Sequence, residues 1–410
     1  MVESTGAMNV TTAESRGLDD WIRLSTVLAG RFAERAAAHD REGSFPFENF
    51  SELKDAGFMR ITAPAVFGGY EAPLETYLRV QEELARGDGS TALAFMMHAK
   101  LFGQQRDGPA YPEHWFAEFC RGAVEEGWTC NTVATEEGLG SPAGGGLPDT
   151  VAVEQDGNWV LDGRKTFTTM APLLHYFIVL ARIDDPGGGP ADLANFVVYR
   201  DDPGVRIEET WDSLGMRATG SHDMVLESVR LPAERIATRR TVGSGDARGA
   251  AGTAWFALGV SATTIGVAQA ALDYAAAFAR ERTPNSQRTI MEYPGVRSRI
   301  GRAQLLLIRS RAMVYDAARA WERRDEDGGG TAVTDRIVAA KADTLNNCIE
   351  AVDLCMRVVG GVSLQKRRPI ERYYRDVRAG LHNPPIEDRA IEQLARSVLA
   401  EPAEAPRAAE

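Results

Sequence analysis

The stretch TVAVEQDGNWVLDGRKTFTT, residues 150–169, decides how this chain is built. Two β-rich runs flank Asp156-Gly157, a dipeptide that favours the positive φ angles of a two-residue hairpin turn. YFIVLARID (176–184) and NFVVYR (195–200) continue the texture as short β-branched and aromatic runs bounded by Pro and Gly. The spacing therefore predicts strands from about Gly127 to Arg239. On either side the period changes. Upstream, DDWIRLSTVLAGRFAERAAAHDREG (19–43) opens with an acidic first turn and LETYLRVQEELARGDG (74–89) closes on a glycine stop, both helix signatures. Downstream, TRRTVGSGDARG (238–249) reads as a linker. In LNNCIEAVDLCMRVVGG (345–361) the apolar positions Leu345, Cys348, Ile349, Val352, Cys355, Met356 and Val359 keep helical spacing before Gly360-Gly361 ends the run. The expected class is α+β, mostly α: a tail at 1–16, helices over 17–123, a central β-domain over 124–240, helices over 241–402 and a tail at 403–410.

Bulk properties narrow the function. A chain of 410 residues with 44% hydrophobic and 25% charged residues is a globular protein of more than one packed region. A net charge of -12 argues against a nucleic-acid partner, which needs clustered Lys and Arg. Four cysteines without a C-x-x-C pair indicate neither a zinc site nor a disulfide framework, and fit a reducing cytosol. The first residues lack the basic start and apolar core of a signal peptide. Thr253–Leu272 carries no charge and is long enough to cross a bilayer. Its Thr, Ser and Gln residues and its Ala and Gly content instead predict a buried central helix.

Five segments, in order, carry a resemblance: ITAPAVFGGYEA (61–72), TVATEEGLGSPAG (132–144), GRKTFTTMAP (163–172), WDSLGMRATGSHDMVLESVRLP (211–232) and VVGGVSLQKRRPIERYYRDVR (358–378). Together they resemble the acyl-CoA dehydrogenase superfamily over about residues 20–400. The resemblance implies a β-barrel-like domain between an N-terminal helical domain and a C-terminal four-helix bundle, a homodimer or homotetramer, and a bound flavin, FAD ahead of FMN. By that resemblance Ala134 and Thr135 meet the pyrimidine edge of the ring, Thr169 approaches N5 and Phe167 covers the ring. Read as residues alone, Thr168 and Thr169 are ordinary strand formers. Arg282 matches the arginine that family members extend to a neighbouring subunit's pyrophosphate, beside helix-end glycines matched by Gly360 and Gly361. Two departures stand in this region: Asn285 and Ser286 replace a Phe-Gly, and Arg357 replaces a Gln. In LGMRATGSHD (214–223), Gly215 and Gly220 allow sharp geometry, while Arg217, Thr219 and Ser221 offer donors to cofactor or interdomain carbonyls. No G-x-G-x-x-G follows a strand, so a Rossmann site is not expected.

The family's dehydrogenation chemistry removes an α-proton with a carboxylate while hydride leaves for the flavin. Most members carry that Glu eight residues after the Asp of R-D, and here the position is Pro384; a second lineage carries it on the central helix, where the matching residue is Phe256. Ala254 and Ala257 stand where CoA-binding members have an Arg and an Asp. Only Ser141 remains of the residues that touch the thioester. The expectation is therefore a flavin monooxygenase of this fold, which adds O2 at C4a of the reduced ring, acting on a small or carrier-tethered metabolite. His382 in RDVRAGLHNPP is its candidate proton-handling residue, because imidazole titrates near working pH; a surface histidine is the competing reading. His98, Trp255 and Phe256 are candidates for the substrate pocket. Desaturation of an acyl-CoA or acyl-carrier thioester, with Glu387 or Asp388 as relocated base, is the alternative, and a non-catalytic flavin-binding protein the third. A flavin reductase or an electron-transfer flavoprotein is the implied partner. No metal is implied.

Overall fold

The computed structural model describes residues 16–138, 146–184, 187–242, 249–285, 288–326 and 330–400. Five helices come first: α1 (Leu18–Glu42), α2 (Phe47–Asp55), α3 (Leu74–Gly87), α4 (Gly89–Asp107) and α5 (Glu113–Arg121). Helix α1 begins with Asp19 and Asp20, which complement the positive helix start, and stops at Gly43 (φ +68°), whose N–H returns to the His39 carbonyl. A single residue, Asp88, separates α3 from α4, and its carboxylate caps α4 by accepting from the Thr91 N–H at 3.0 Å and hydroxyl at 2.6 Å. Of the expected tail 1–16, only Arg16 lies within the described residues. It is docked rather than loose, donating to the Ala56 carbonyl at 2.6 Å with its guanidinium over Trp21.

Eight strands follow: β1 (Cys130–Val133), β2 (Val151–Gln155), β3 (Asn158–Thr168), β4 (Tyr176–Ile183), β5 (Asp192–Tyr199), β6 (Val205–Glu208), β7 (His222–Pro232) and β8 (Ile236–Thr241). They form one sheet in the order β6-β7-β3-β2-β4-β5-β8, with β1 also on β4. The hairpin at Asp156-Gly157 forms, with φ of +53° and +75°. Both β1 and β2 run parallel to β4, at Cys130–Val133 against Tyr176–Val179 and at Val151 against Arg182. The connection 134–150 thus leaves the edge of β4 and returns to it. One expectation is corrected: Thr238–Thr241, read as the start of a linker, is part of β8. This edge strand pairs with β5 and is held by Arg239 and Thr241 on Asp192. Its polar composition hides it from an apolar-periodicity reading.

The chain then forms α6 (Gly249–Glu281), α7 (Pro294–Glu322), α8 (Thr331–Val359), α9 (Pro369–Asp376) and α10 (Glu387–Leu399). Helix α6 contains the uncharged stretch 253–272. It is the described helix long and apolar enough to cross a membrane, and 89% of its most apolar window is buried inside the fold. Helices α3, α4, α7 and α8 pack around it. One hydrophobic core runs from Trp21 and Phe58 through Tyr77 and Trp255 to Leu345 and Cys355, joining helices of both ends to the sheet. The four cysteines are free thiols and all are buried.

Candidate active site

Strand β3 ends in Phe167-Thr168 and is followed by Thr169, where the backbone leaves ordinary strand geometry. Phe167 has φ +53° and Met170 φ +68°, left-handed values that a side-chain-bearing residue keeps only when its surroundings enforce them. Four hydrogen bonds do so. The Thr166 N–H donates to the Thr135 carbonyl at 2.9 Å and Asn131 Nδ2 to the Thr169 carbonyl at 3.1 Å. The N–H groups of Met170 and Ala171 donate to the Thr219 and Gly220 carbonyls at 2.9 and 3.1 Å. Residues 134–135, 166–169 and 216–221 are thereby brought together at one rim of the sheet. The turn at Phe167 throws its ring outward, 61% exposed, edge-on to Trp211 at 5.5 Å.

Behind this rim lies a row of hydroxyls. Thr169 Oγ1 is 3.0 Å from Ser221 Oγ, which is 2.8 Å from Thr219 Oγ1, and Thr219 donates to the Met216 carbonyl at 3.0 Å. The buried hydroxyls of Thr166 and Thr168 have no hydrogen-bond partner among the described residues. Such orphaned groups point to a polar ligand, because a buried hydroxyl left unpaired is costly.

Two carboxyl clamps hold the rim. In the first, the fully buried Lys165 ammonium contacts Glu136 at 2.5 Å, and Glu136 also accepts from the Asp149 and Thr150 N–H groups. Burial alone would raise the Glu136 pKa, but hydrogen bonds from Lys165 and Thr150 and the charge of Lys165 reverse that, holding the carboxyl below its usual range. In the second clamp, Asp376 at the end of α9 accepts from the Met216 N–H at 2.6 Å. Burial pushes the Asp376 carboxyl up to about 7 despite Arg372 nearby. Gly215 permits this approach: a Cβ there would lie 2.6 Å from the Arg375 carbonyl carbon and oxygen. Arg217 is structural, donating to the Asp40 carbonyl and pairing with Asp212, while Arg375 grips Asp40 and Glu371. The turn at 214–221 is thus where helix α1, the sheet and α9 meet.

The remaining candidates fall elsewhere. Arg282, Arg357, Gly360 and Gly361 are exposed near the ends of α6 and α8, where Arg368 stands 6.0 Å from Phe278. Neither Arg282 nor Arg357 forms an ion pair among the described residues, and nothing within 4 Å would obstruct a Cβ at either glycine. His382 is exposed on the short turn Ala379–His382. Glu387 is exposed and accepts from Asn346 at 2.8 Å, which holds it to α8. Ser141 lies outside the described residues.

His98 is not a pocket residue: it is fully buried, its Nε2 faces the Met59 carbonyl at 2.8 Å, and its Nδ1 accepts from the Cys130 N–H at 3.2 Å. Burial pulls its pKa down to about 4, so it is a neutral strut between α4 and β1. Trp255 is also fully buried, its indole donating to Asp107 and its ring against Tyr77. Phe256 is half-buried, with the ammonium of Lys100 5.7 Å from its ring centre. Sequence reasoning missed Lys100, the Glu136–Lys165 pair and the acceptor role of Asp376.

A flavin ring requires a flat apolar cover, polar groups at its edge and a hydroxyl or N–H near N5, and its phosphates require cations and open backbone. The outward Phe167 ring, the orphaned and chained hydroxyls, and the exposed Arg282, Arg357 and glycines fit that group.

Comparison with known proteins agrees. Residues 23–122, 131–229 and 243–381 match the N-terminal, middle and C-terminal domains of acyl-CoA dehydrogenase. The "Putative acyl-CoA dehydrogenase YdbM" of Bacillus subtilis is 42% identical over 92% of this chain and 95% of its own. The L-evernosamine nitrososynthase of a Micromonospora species is 32% identical over 86% of this chain and 84% of its own. The solved structure of KijD3 with FMN and a dTDP-amino-keto sugar superimposes with a TM-score of 0.83 at 28% identity, covering 95% of each chain. The chain belongs to the acyl-CoA dehydrogenase family of flavoenzymes.

Proposed function

We propose that this flavoenzyme is a monooxygenase that oxidises a nitrogen, sulfur or aromatic centre of a small or carrier-tethered metabolite. The observation that carries the reading is the residue type at the expected base positions. Desaturation needs a carboxylate facing the substrate α-carbon. By the resemblance, Pro384 and Phe256 match the two positions at which the family carries one, neither side chain can take a proton, and the Lys100 ammonium lies 5.7 Å from the Phe256 ring centre. The nitrososynthase relative adds support, because making a nitroso group from an amine is a nitrogen oxidation.

Within this reading the 134–135 and 166–169 segments orient the ring and Phe167 excludes water from it. His382 holds or moves a proton at its imidazole. Arg282 and Arg357 bind phosphate, Arg282 toward a neighbouring subunit of a dimer or tetramer. The bound flavin, FAD ahead of FMN, supplies the redox chemistry and the reaction with oxygen. A flavin reductase would deliver its electrons.

The 42% identity to YdbM favours a second reading, thioester α,β-dehydrogenation with Glu387 as relocated base and an electron-transfer flavoprotein as acceptor. Stopped-flow mixing of reduced enzyme with O2 separates the two. Oxygenation predicts a transient absorbance distinct from both oxidised and reduced flavin, and its persistence should shorten in His382→Ala. Bleaching of the oxidised enzyme by an acyl-CoA at the rate of a dehydrogenase overturns the first reading in favour of the second.

A further inference from the structure

The row of hydroxyls behind Thr169 has a direction. Each hydroxyl owns one hydrogen. The Met216 carbonyl can only accept, so the Thr219 hydrogen points to it at 3.0 Å. Thr219 Oγ1, its hydrogen committed, faces Ser221 Oγ at 2.8 Å as the acceptor, so the Ser221 hydrogen points to Thr219. Ser221 is then the acceptor in its 3.0 Å contact with Thr169. The alternative for the Thr169 hydrogen among the described residues, the Phe167 carbonyl at 3.5 Å, is at the limit of hydrogen bonding. The anchor of the row is fixed as well, because the Met216 N–H is held by Asp376 and its carbonyl also accepts from the Trp211 indole at 3.0 Å. All three hydroxyl residues are buried, at 7%, 0% and 4% exposure for Thr169, Thr219 and Ser221, so bulk water does not reset the direction.

We propose that Ser221 and Thr219 are positioning residues that set Thr169 as a hydrogen-bond acceptor toward the cofactor. The proposal rests on the reading that Thr169 faces N5 of a flavin. In the oxidised ring N5 carries a lone pair and no hydrogen; in the reduced ring N5 carries a hydrogen. An acceptor at Thr169 therefore discriminates between the two states and favours the reduced one. A donor would do the reverse. This polarity suits an enzyme that must hold reduced flavin until oxygen and substrate are both present.

The test is anaerobic titration of the full-length apoprotein with oxidised FAD and with dithionite-reduced FAD, followed by fluorescence or calorimetry. In Ser221→Ala and in Thr219→Val the direction is released, Thr169 can donate, and affinity should shift from reduced toward oxidised FAD. One hydrogen bond is worth about fivefold, and exchanging an acceptor for a donor alters both states, so the affinity ratio should move by about 5- to 25-fold. Thr219→Ser keeps the hydroxyl and should keep the wild-type ratio, which a general packing defect at this position would not predict. An unchanged ratio in both Ser221→Ala and Thr219→Val, or a shift toward reduced FAD, overturns the proposal while leaving the flavin reading intact. Failure of the wild-type chain to bind FAD in either state overturns the flavin reading itself, and the proposal with it.

Discussion

Replacing Glu136 by Gln leaves the Lys165 ammonium, fully buried, without its carboxylate. Breaking a buried ion pair from one side costs about 3–5 kcal/mol, because the remaining charge has no compensation. The reciprocal change, Lys165→Met, should cost less. It leaves a carboxylate that still accepts from the Asp149 and Thr150 N–H groups, so about 2–3 kcal/mol is expected, near the lower end for a charged group with partial hydrogen bonding. The double variant should be more stable than Glu136→Gln alone, since no unpaired charge remains. Urea unfolding, with native-state hydrogen exchange over β2 and β3 to localise the effect, measures all three. The pair also carries a pH signature: its Glu has a folded pKa below the unfolded value of about 4.3, so the stabilisation is complete above that pH. It is lost as pH falls through the lower folded value. A Glu136→Gln protein within about 1 kcal/mol of wild type, or singles that add without coupling in the double variant, would refute the reasoning.

Asp376, His98 and Arg282 give further tests. Asp376 keeps its proton in the fold up to about pH 7 whereas the unfolded chain loses it near 3.8, so its contribution makes stability fall as pH rises between them. His98 works in the opposite sense: its folded pKa of about 4 lies below 6.5, so stability rises with pH over that window. The two slopes oppose one another from pH 4 to 6.5. Asp376→Asn retains an acceptor for Met216 and removes one slope, so urea midpoints measured at pH 4.5 and 6.5 should diverge more than in wild type; an unchanged difference contradicts this account. Arg282→Ala should weaken FAD binding by about tenfold or more, the value of a charge-assisted phosphate contact. It should leave the unfolding midpoint unchanged, because Arg282 is exposed and has no ion pair among the described residues; equal loss of both would assign Arg282 to the fold rather than to the cofactor.

The helix-sheet-helix order was legible because the period of the apolar residues changes twice, and because Asp156-Gly157 marks a hairpin by local chemistry alone. The end of strand β8 was not, since Thr238–Thr241 is polar and carries no alternation and its pairing is set by Asp192, far away in sequence. The hydroxyls and glycines of the candidate site were readable as motifs, whereas the clamps were not. Glu136 and Lys165 are 29 residues apart and Met216 and Asp376 are 160 apart, so no local pattern joins them. His98 was misplaced for a related reason: α4 is buried on nearly every side, so its sequence has no polar face from which to tell a pocket from a core.

The Glu136 carboxylate stands at one foot of the connection between β1 and β2, and the N–H groups that it accepts, from Asp149 and Thr150, stand at the other. With both feet stapled to a common anion beside the rim of the site, the register of β2 is set at the feet and not by the number of residues in the connection. Changing its length would meet only the slowly growing, logarithmic penalty of closing a longer loop, without sliding β2 along β4. The consequence is a place for length variation: residues inserted or removed between Glu136 and Asp149 should leave β2, and the β3 strand that pairs with it and carries Phe167, where they are.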